Sequence, residues 1–445
     1  MLGTDELFPW VEAAGGGKVV NARLAAGGNR CVGWSIDLQK QDGQIKSLFL
    51  RYQTFEDAGG GPYTVRREAE AYAALRDKDV CIPRLVAVHP RYQAMLTERA
   101  AGTADYRALE DLNEKAALAR QCVEALAALH AVDAATLDMP GFGGHRTIEA
   151  AVRADINTWY AMYRDSGRND PLIEFGRIWL ENNMPKVSGA AVLVHGDAGP
   201  GNFMFESGRL SALIDWELAH LGDPMEDLAW FSLRSMLEPV PDFPARIREY
   251  EAASGGPADL DRIRFHRVFV SWRIVIIRHC NVSGRAGASV ISRALNRRLL
   301  MEAIDAVEGS SGASVETLDV PPREYGGLFE QVLNDIRTVI VPGCDNKDAI
   351  LKAKDVAKAV KFMRQLYTIG PEVERWELGE LARLLGAAPA TLESGRAALS
   401  TKIRELAINS REAYPFFRQS AAFETQLASG SMGALAARHF PPLTD

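Results

Sequence analysis

Apolar and polar positions change rhythm along this 445-residue chain. Up to about residue 98, short runs such as WSIDLQ, SLFLRYQ, RLVAVH and AMLTER lie between glycine clusters and predict the strands of a small sheet, with one helix over 65–77. From about 105 the period lengthens. In AALARQCVEALAALH (Ala116 to His130), Leu118, Cys122, Ala125, Leu126 and Leu129 recur at helix spacing and mark one apolar face. Helical spacing then continues to about Val307, broken over 190–216 by two strand-like runs, AAVLVHGD and LSALIDW, separated by a Gly/Pro/Asn-rich loop. Gly309-Ser-Ser-Gly-Ala-Ser314 has the composition of a flexible linker. Beyond it, apolar residues at 356, 359/360, 363 and 366/367, then Leu378, Leu381, Leu384 and Leu385, predict more helices. The expected division is a sheet-rich lobe over 1–98, a helical lobe over 99–308, a linker over 309–320 and a small all-α domain over 321–445.

Composition narrows the class without naming a chemistry. With 47% hydrophobic and 24% charged residues, and no apolar run of ~18 residues, the chain reads as a soluble globular protein expected in the cytoplasm. The N-terminal segment has early acids and no basic region leading into an apolar stretch, so no secretory signal is read there. A formal net charge of −7 speaks against nucleic acid as a partner. Cys31, Cys81, Cys122, Cys280 and Cys344 lie far apart without a CxxC pair, which argues against a zinc site and a disulfide framework.

The interruption at 190–216 carries the candidate chemistry. Phosphoryl transfer needs a carboxylate to orient the attacking hydroxyl, a divalent metal on hard oxygen ligands, and donors facing the phosphates. In His195-Gly-Asp-Ala-Gly-Pro-Gly-Asn202, Asp197 suits the first task. Asn202, five residues on, can offer an amide oxygen to Mg2+, and this is the spacing of the kinase catalytic loop. Asp215 in LIDWE, at the end of an apolar strand, is the second candidate metal ligand. The alternative is that Asp197 and Asp215 are ordinary strand-end turn acids.

HGDAGPGN, LIDWE and GDPMEDLA (222–229) together resemble the aminoglycoside phosphotransferase/choline kinase family over about residues 20–305. The resemblance implies an α+β, two-lobed protein-kinase-like fold: an antiparallel-sheet N-lobe and a mainly helical C-lobe, here followed by the all-α domain. It implies an ATP-dependent small-molecule kinase with Mg2+. His195 and Asp223 would brace the catalytic loop and the next helix. Gly27, Gly28 and Asn29 fall where the family's phosphate-covering loop lies. Arg51 takes the place of the family's phosphate-binding lysine, a departure that exchanges a point charge for a planar fork. Glu68 would be its helix partner, with Glu70 as the alternative, and adenine would lie near Leu96 and Glu98 in Met95–Arg99.

For the acceptor, nine arginines between Arg262 and Met301, with no acid among them, suit an anion. The alternative reading is that they pair with acids such as Glu372, Glu374, Glu377 and Glu380, or solvate a helix. The RE-helix and the DWELAHLGDPMEDLAW segment look most like kinase domains found fused to acyl-CoA dehydrogenases, a branch associated with hydroxyacyl-CoA phosphorylation. The 321–445 segment resembles a small separate protein accompanying such kinases. An aminoglycoside acceptor and an inactive nucleotide-binding scaffold are the competing readings. A protein kinase is disfavoured because no APE-type segment follows Asp215.

Overall fold

The computed structural model describes residues 3–25, 31–53, 63–280, 286–310 and 314–445. The chain opens with helix α1 (Thr4–Gly15), then strands β1 (Lys18–Leu24), β2 (Cys31–Gln39) and β3 (Ile45–Gln53), helix α2 (Val65–Ala74), and strands β4 (Leu85–Val88) and β5 (Ala94–Glu98). The strands form one antiparallel sheet in the order β1-β2-β3-β5-β4. Because successive strand residues face opposite ways, β3 serves two environments. Leu48, Leu50 and Tyr52 join Ile36, Leu38 and Leu96 in a core closed by Leu7 and Val11 of α1. Arg51 falls between them on the other face, opposite Gly33 and Met95. Helix α1 escaped the sequence reading. Its inward signal is only Leu7 and Val11, with Pro9 between them, and the sheet's apolar face is what makes burying that stripe favourable.

Helices α3 (Leu112–His130), α4 (Ile148–Asp165) and α5 (Pro171–Asn182) follow. Asp111 caps α3 by accepting from the Asn113 amide at 2.8 Å, four residues earlier than the apolar period suggested. Two short antiparallel pairs come next: β6 (Val192–Val194) with β9 (His220–Gly222), and β7 (Phe203–Glu206) with β8 (Arg209–Leu213). Strand β7 lies inside what the sequence presents as loop. Helices α6 (Pro224–Leu237), α7 (Phe243–Ser254), α8 (Leu260–Cys280), α9 (Ala286–Glu308), α10 (Gly326–Asp335), α11 (Lys347–Leu385), α12 (Leu392–Arg404) and α13 (Ser410–Met432) complete the chain.

The chain divides into two compact units, one of Met1–Asp155, Lys186–Ile263 and Pro441–Asp445, the other of Ile156–Pro185 and Arg264–Phe440. In the first, α2 packs on β3, β4 and β5, and α3 packs on α7, β6 and β8. In the second, α11 packs on α9, α12 and α13. There Trp376 stacks on Phe416 with ring centroids 5.6 Å apart. Arg297 meets Asp170 at 2.6 Å, and Arg404 meets the buried Glu174 at 2.9 Å. Residues 314–320 form neither helix nor strand; Gln419 and Gln426 of α13 bind the backbone of Glu316 and Leu318 through both amide atoms.

Candidate active site

The loop 195–202 connects β6 to β7, and its conformation is set mostly by backbone anchoring. The buried Asp227 of α6 accepts from the amides of His195 and Gly196 at 2.8 and 2.9 Å, and its Oδ2 lies 2.9 Å from His130 Nε2. Burial pushes the Asp227 carboxyl up, but His130 and the loop amide outweigh it and hold the group below the usual carboxylate range. Gly196 has φ +76°, and a Cβ there would lie 2.2 Å from the Leu218 carbonyl oxygen, so only glycine fits. His195 Nε2 lies 2.9 Å from the Ile214 carbonyl oxygen. A carbonyl can only accept, so Nε2 carries the proton and Nδ1 receives the Asp197 amide at 3.3 Å. The Ile214 amide returns to the Asn202 carbonyl at 2.9 Å. The imidazole and this backbone bond thus fix the 195–202 loop against the residue preceding Asp215, the bracing role expected of His195. Asp223 caps α6 through the Met225 amide at 2.9 Å and pairs with Arg262.

Asp197 is held from two sides. Asn202 Nδ2 donates to its Oδ2 at 2.9 Å and to its backbone oxygen at 2.8 Å. Arg234 of α6 donates from Nε to Oδ1 at 2.7 Å and from its second arm to Oδ2, while its Nη1 reaches the Pro200 carbonyl at 3.0 Å. Arg234 is absent from the sequence reading. It lies 37 residues beyond Asp197 in a run of apolar helix, and only the helix's return past the loop brings the two together.

Asp215 adopts the left-handed conformation, φ 67° and ψ 56°, at the turn after β8. Its Oδ1 is 2.7 Å from Arg51 Nη2, which also lies 2.7 Å from Glu217 Oε2; Arg51 Nε is 3.0 Å from Glu68 Oε2. One guanidinium therefore serves three carboxylates. Glu68, with 1% of its side chain exposed, is the most secluded of them. Burial first, then its acidic neighbours, push its carboxyl up to about 8 against the pull of Arg51. The nearby Cys31 thiol is pushed up to about 12, again chiefly by burial, which leaves it unreactive. Glu70, the alternative partner, instead accepts from the Gly141 amide at 2.7 Å.

The donor set fits a hard cation. The Asn202 amide nitrogen is occupied by Asp197, which leaves its amide oxygen for a cation, and Asp215, whose Oδ1 pairs with Arg51, would add a carboxylate oxygen. Leu96 is buried in the α1-side core, so its side chain is on the face opposite Arg51. Glu98 is exposed at the end of β5, with its amide donating to the Arg84 carbonyl at 2.8 Å. Gly27, Gly28 and Asn29 lie outside the described residues.

Several of the arginines after 262 have internal partners. Arg262 binds Asp223; Arg297 binds Asp170 and Glu424; Arg293 binds Glu424; Arg298 pairs with Glu302 and donates to the Ala436 and Arg438 carbonyls. Arg267 and Arg273 lie over the rings of Phe440 and Trp159. Glu372, Glu377 and Glu380 pair elsewhere, with Arg375, Arg396 and Arg383.

A profile described as the phosphotransferase enzyme family matches residues 43–266, half of the chain. Acyl-CoA dehydrogenase family member 11 of Pongo abelii is 35% identical over 124 residues, which is 27% of this chain and 15% of that protein; the human counterpart is 34% identical over the same span. The matched segment thus covers a small part of those relatives. Among solved structures, a candidate fructosamine-3-kinase from Thermobifida fusca YX-ER1 is 19% identical with a TM-score of 0.50, covering 69% of this chain and all of that one, a likeness of fold.

Proposed function

We propose that this chain, which belongs to the phosphotransferase enzyme family and is a small-molecule kinase of protein-kinase-like fold, transfers the γ-phosphoryl group of ATP to a hydroxyl of an anionic hydroxyacyl compound such as a hydroxyacyl-CoA. The single observation that carries the chemistry is the joining of two half-sites: Asp197 held by Asn202 and Arg234, and Asp215 held by Arg51 and fixed to the loop through His195 and Ile214. The acceptor class is supported by the acyl-CoA dehydrogenase relatives. The arginine run adds little to it, because so many of its members have partners within the protein.

Asp197 would accept a hydrogen bond from the acceptor hydroxyl, align it on the phosphorus and take its proton as the new P–O bond forms. Its clamp removes rotational freedom at the reacting carboxylate, so less ordering is left for the transition state. Asn202 and Asp215 would hold Mg2+, which when bound offsets charge on the β- and γ-phosphates. Arg51 would donate to nucleotide phosphates through a planar fork, with Glu68 anchoring its Nε end.

The test is ADP release with Mg-ATP against a panel of hydroxyacyl-CoAs, free hydroxy acids and aminoglycosides. Turnover is expected with the acyl compounds, and turnover confined to aminoglycosides would refute the acceptor class. In the same assay Asp197→Ala should abolish turnover while Mg-ATP still binds, whereas Asp215→Ala should weaken Mg-ATP binding itself. Equal loss of nucleotide binding in both variants would overturn the division of roles.

A further inference from the structure

Within the second compact unit, α10 runs antiparallel to the first half of α11, held by the Phe329–Tyr367 ring pair, with centroids 5.7 Å apart, and by the Arg364–Glu330 ion pair. One face of this hairpin is apolar and open. On α10 and its N-cap, Tyr325, Leu328 and Val332 recur at intervals of three and four, and Val339 follows in the π-helical turn Ile336–Ile340; on α11, Val356, Met363 and Leu366 recur at intervals of seven and three, with Ala359 between them. The seven larger side chains are each 43–63% exposed. Spacing of 3.5 residues is the pattern of a helix that expects another helix against it, since a stripe serving only a globular core is wider.

The two stripes lie on the same side of the hairpin. Helix periodicity sets each stripe about a quarter-turn from the line joining the helices, and in an antiparallel pair those quarter-turns point the same way. The register fixed by Phe329–Tyr367 and Glu330–Arg364 also brings Leu328 level with Leu366 and Val332 with Met363.

We infer that this hairpin face binds the same face of a second copy of this chain, forming an antiparallel four-helix interface about a two-fold axis. Area supports this occupant. Seven half-exposed side chains offer roughly 300–400 Å² of apolar surface, close to the apolar share of the ~800 Å² that each partner buries in an interface of ordinary size. Charge selects the arrangement. Beyond the Glu330–Arg364 pair internal to the hairpin, α10 carries Asp335 and no base, whereas residues 347–361 of α11 carry five lysines against Asp348 and the buried Asp355. A two-fold axis parallel to the helices sets α10 over the partner's α11, acidic over basic. The perpendicular axis would set the lysine-rich helices on each other.

Sedimentation equilibrium of the full chain at micromolar concentration should give twice the mass of one chain, and the double variant Leu328→Glu, Met363→Glu should give the mass of one chain with an unchanged circular-dichroism spectrum and a melting temperature lowered only by the lost association. A wild-type monomer overturns the inference, as does a dimer that persists in the double variant. A second measurement does not depend on the tolerance of those charges. Made in a Cys344→Ser background, Val332→Cys and Met363→Cys proteins, prepared separately and mixed under oxidation, should yield a cross-linked dimer absent from either protein alone. Cross-linking of Val332→Cys protein with itself would overturn the placement of α10 over α11.

Discussion

Replacing Glu68 by glutamine isolates the electrostatic arrangement around Arg51. Three carboxylates share one guanidinium, and the most buried of them, Glu68, has its carboxyl raised from 4.5 to about 8. A carboxyl raised on folding binds its proton more tightly in the native state, so stability is highest below the unfolded value of 4.5 and falls as pH rises toward about 8. With ~1.4 kcal/mol for each unit, the loss between pH 5 and pH 7.5 comes to about 3 kcal/mol. Glutamine is nearly isosteric and does not titrate, so the variant should lack this component while every other group titrates as before. Thermal unfolding of both proteins at the two pH values measures it. For a unit of this size 3 kcal/mol corresponds to roughly 6–12 °C, so the wild-type melting temperature should fall by that much more than the variant's on going from pH 5 to pH 7.5. Parallel pH dependence in the two proteins would refute the reasoning, and would mean that Arg51 keeps Glu68 ionised throughout.

Arg234→Ala removes both arms of the clamp on Asp197 without touching Arg51 or the Asp215 side chain; kcat should fall about 10–100-fold, the scale of a misplaced reacting group, with Mg-ATP affinity unchanged, and Arg234→Lys should be intermediate because it keeps the charge but loses the fork. A wild-type kcat for Arg234→Ala would show that Asn202 alone suffices. Gly196→Ala drives a Cβ toward the Leu218 carbonyl at a positive φ, and should cost at least about 2–3 kcal/mol in thermal unfolding and abolish ADP release; an unaltered melting temperature would contradict the geometry.

The sequence by itself determined the chemistry and much of the architecture. Asp197, Asn202 and Asp215 lie within one short stretch whose spacing is set by a tight loop and two strands, so local chain geometry is enough to bring them near one another. The alternating runs and the helical periods likewise report which face of each element is apolar, and burial follows from that. What tertiary structure decided is everything that depends on residues distant in the chain. It closed α1 over the sheet, carried Arg234 and Asp227 of α6 back onto the 195–202 loop, and joined Arg51 to Asp215, 164 positions further along the chain. It also gave internal partners to arginines that, read along the chain, had looked available to a substrate. Charge in a sequence records only that a group is ionised. Whether that charge faces a ligand or a neighbouring carboxylate is set by packing, because a buried charge must find a counter-charge wherever the fold happens to place one.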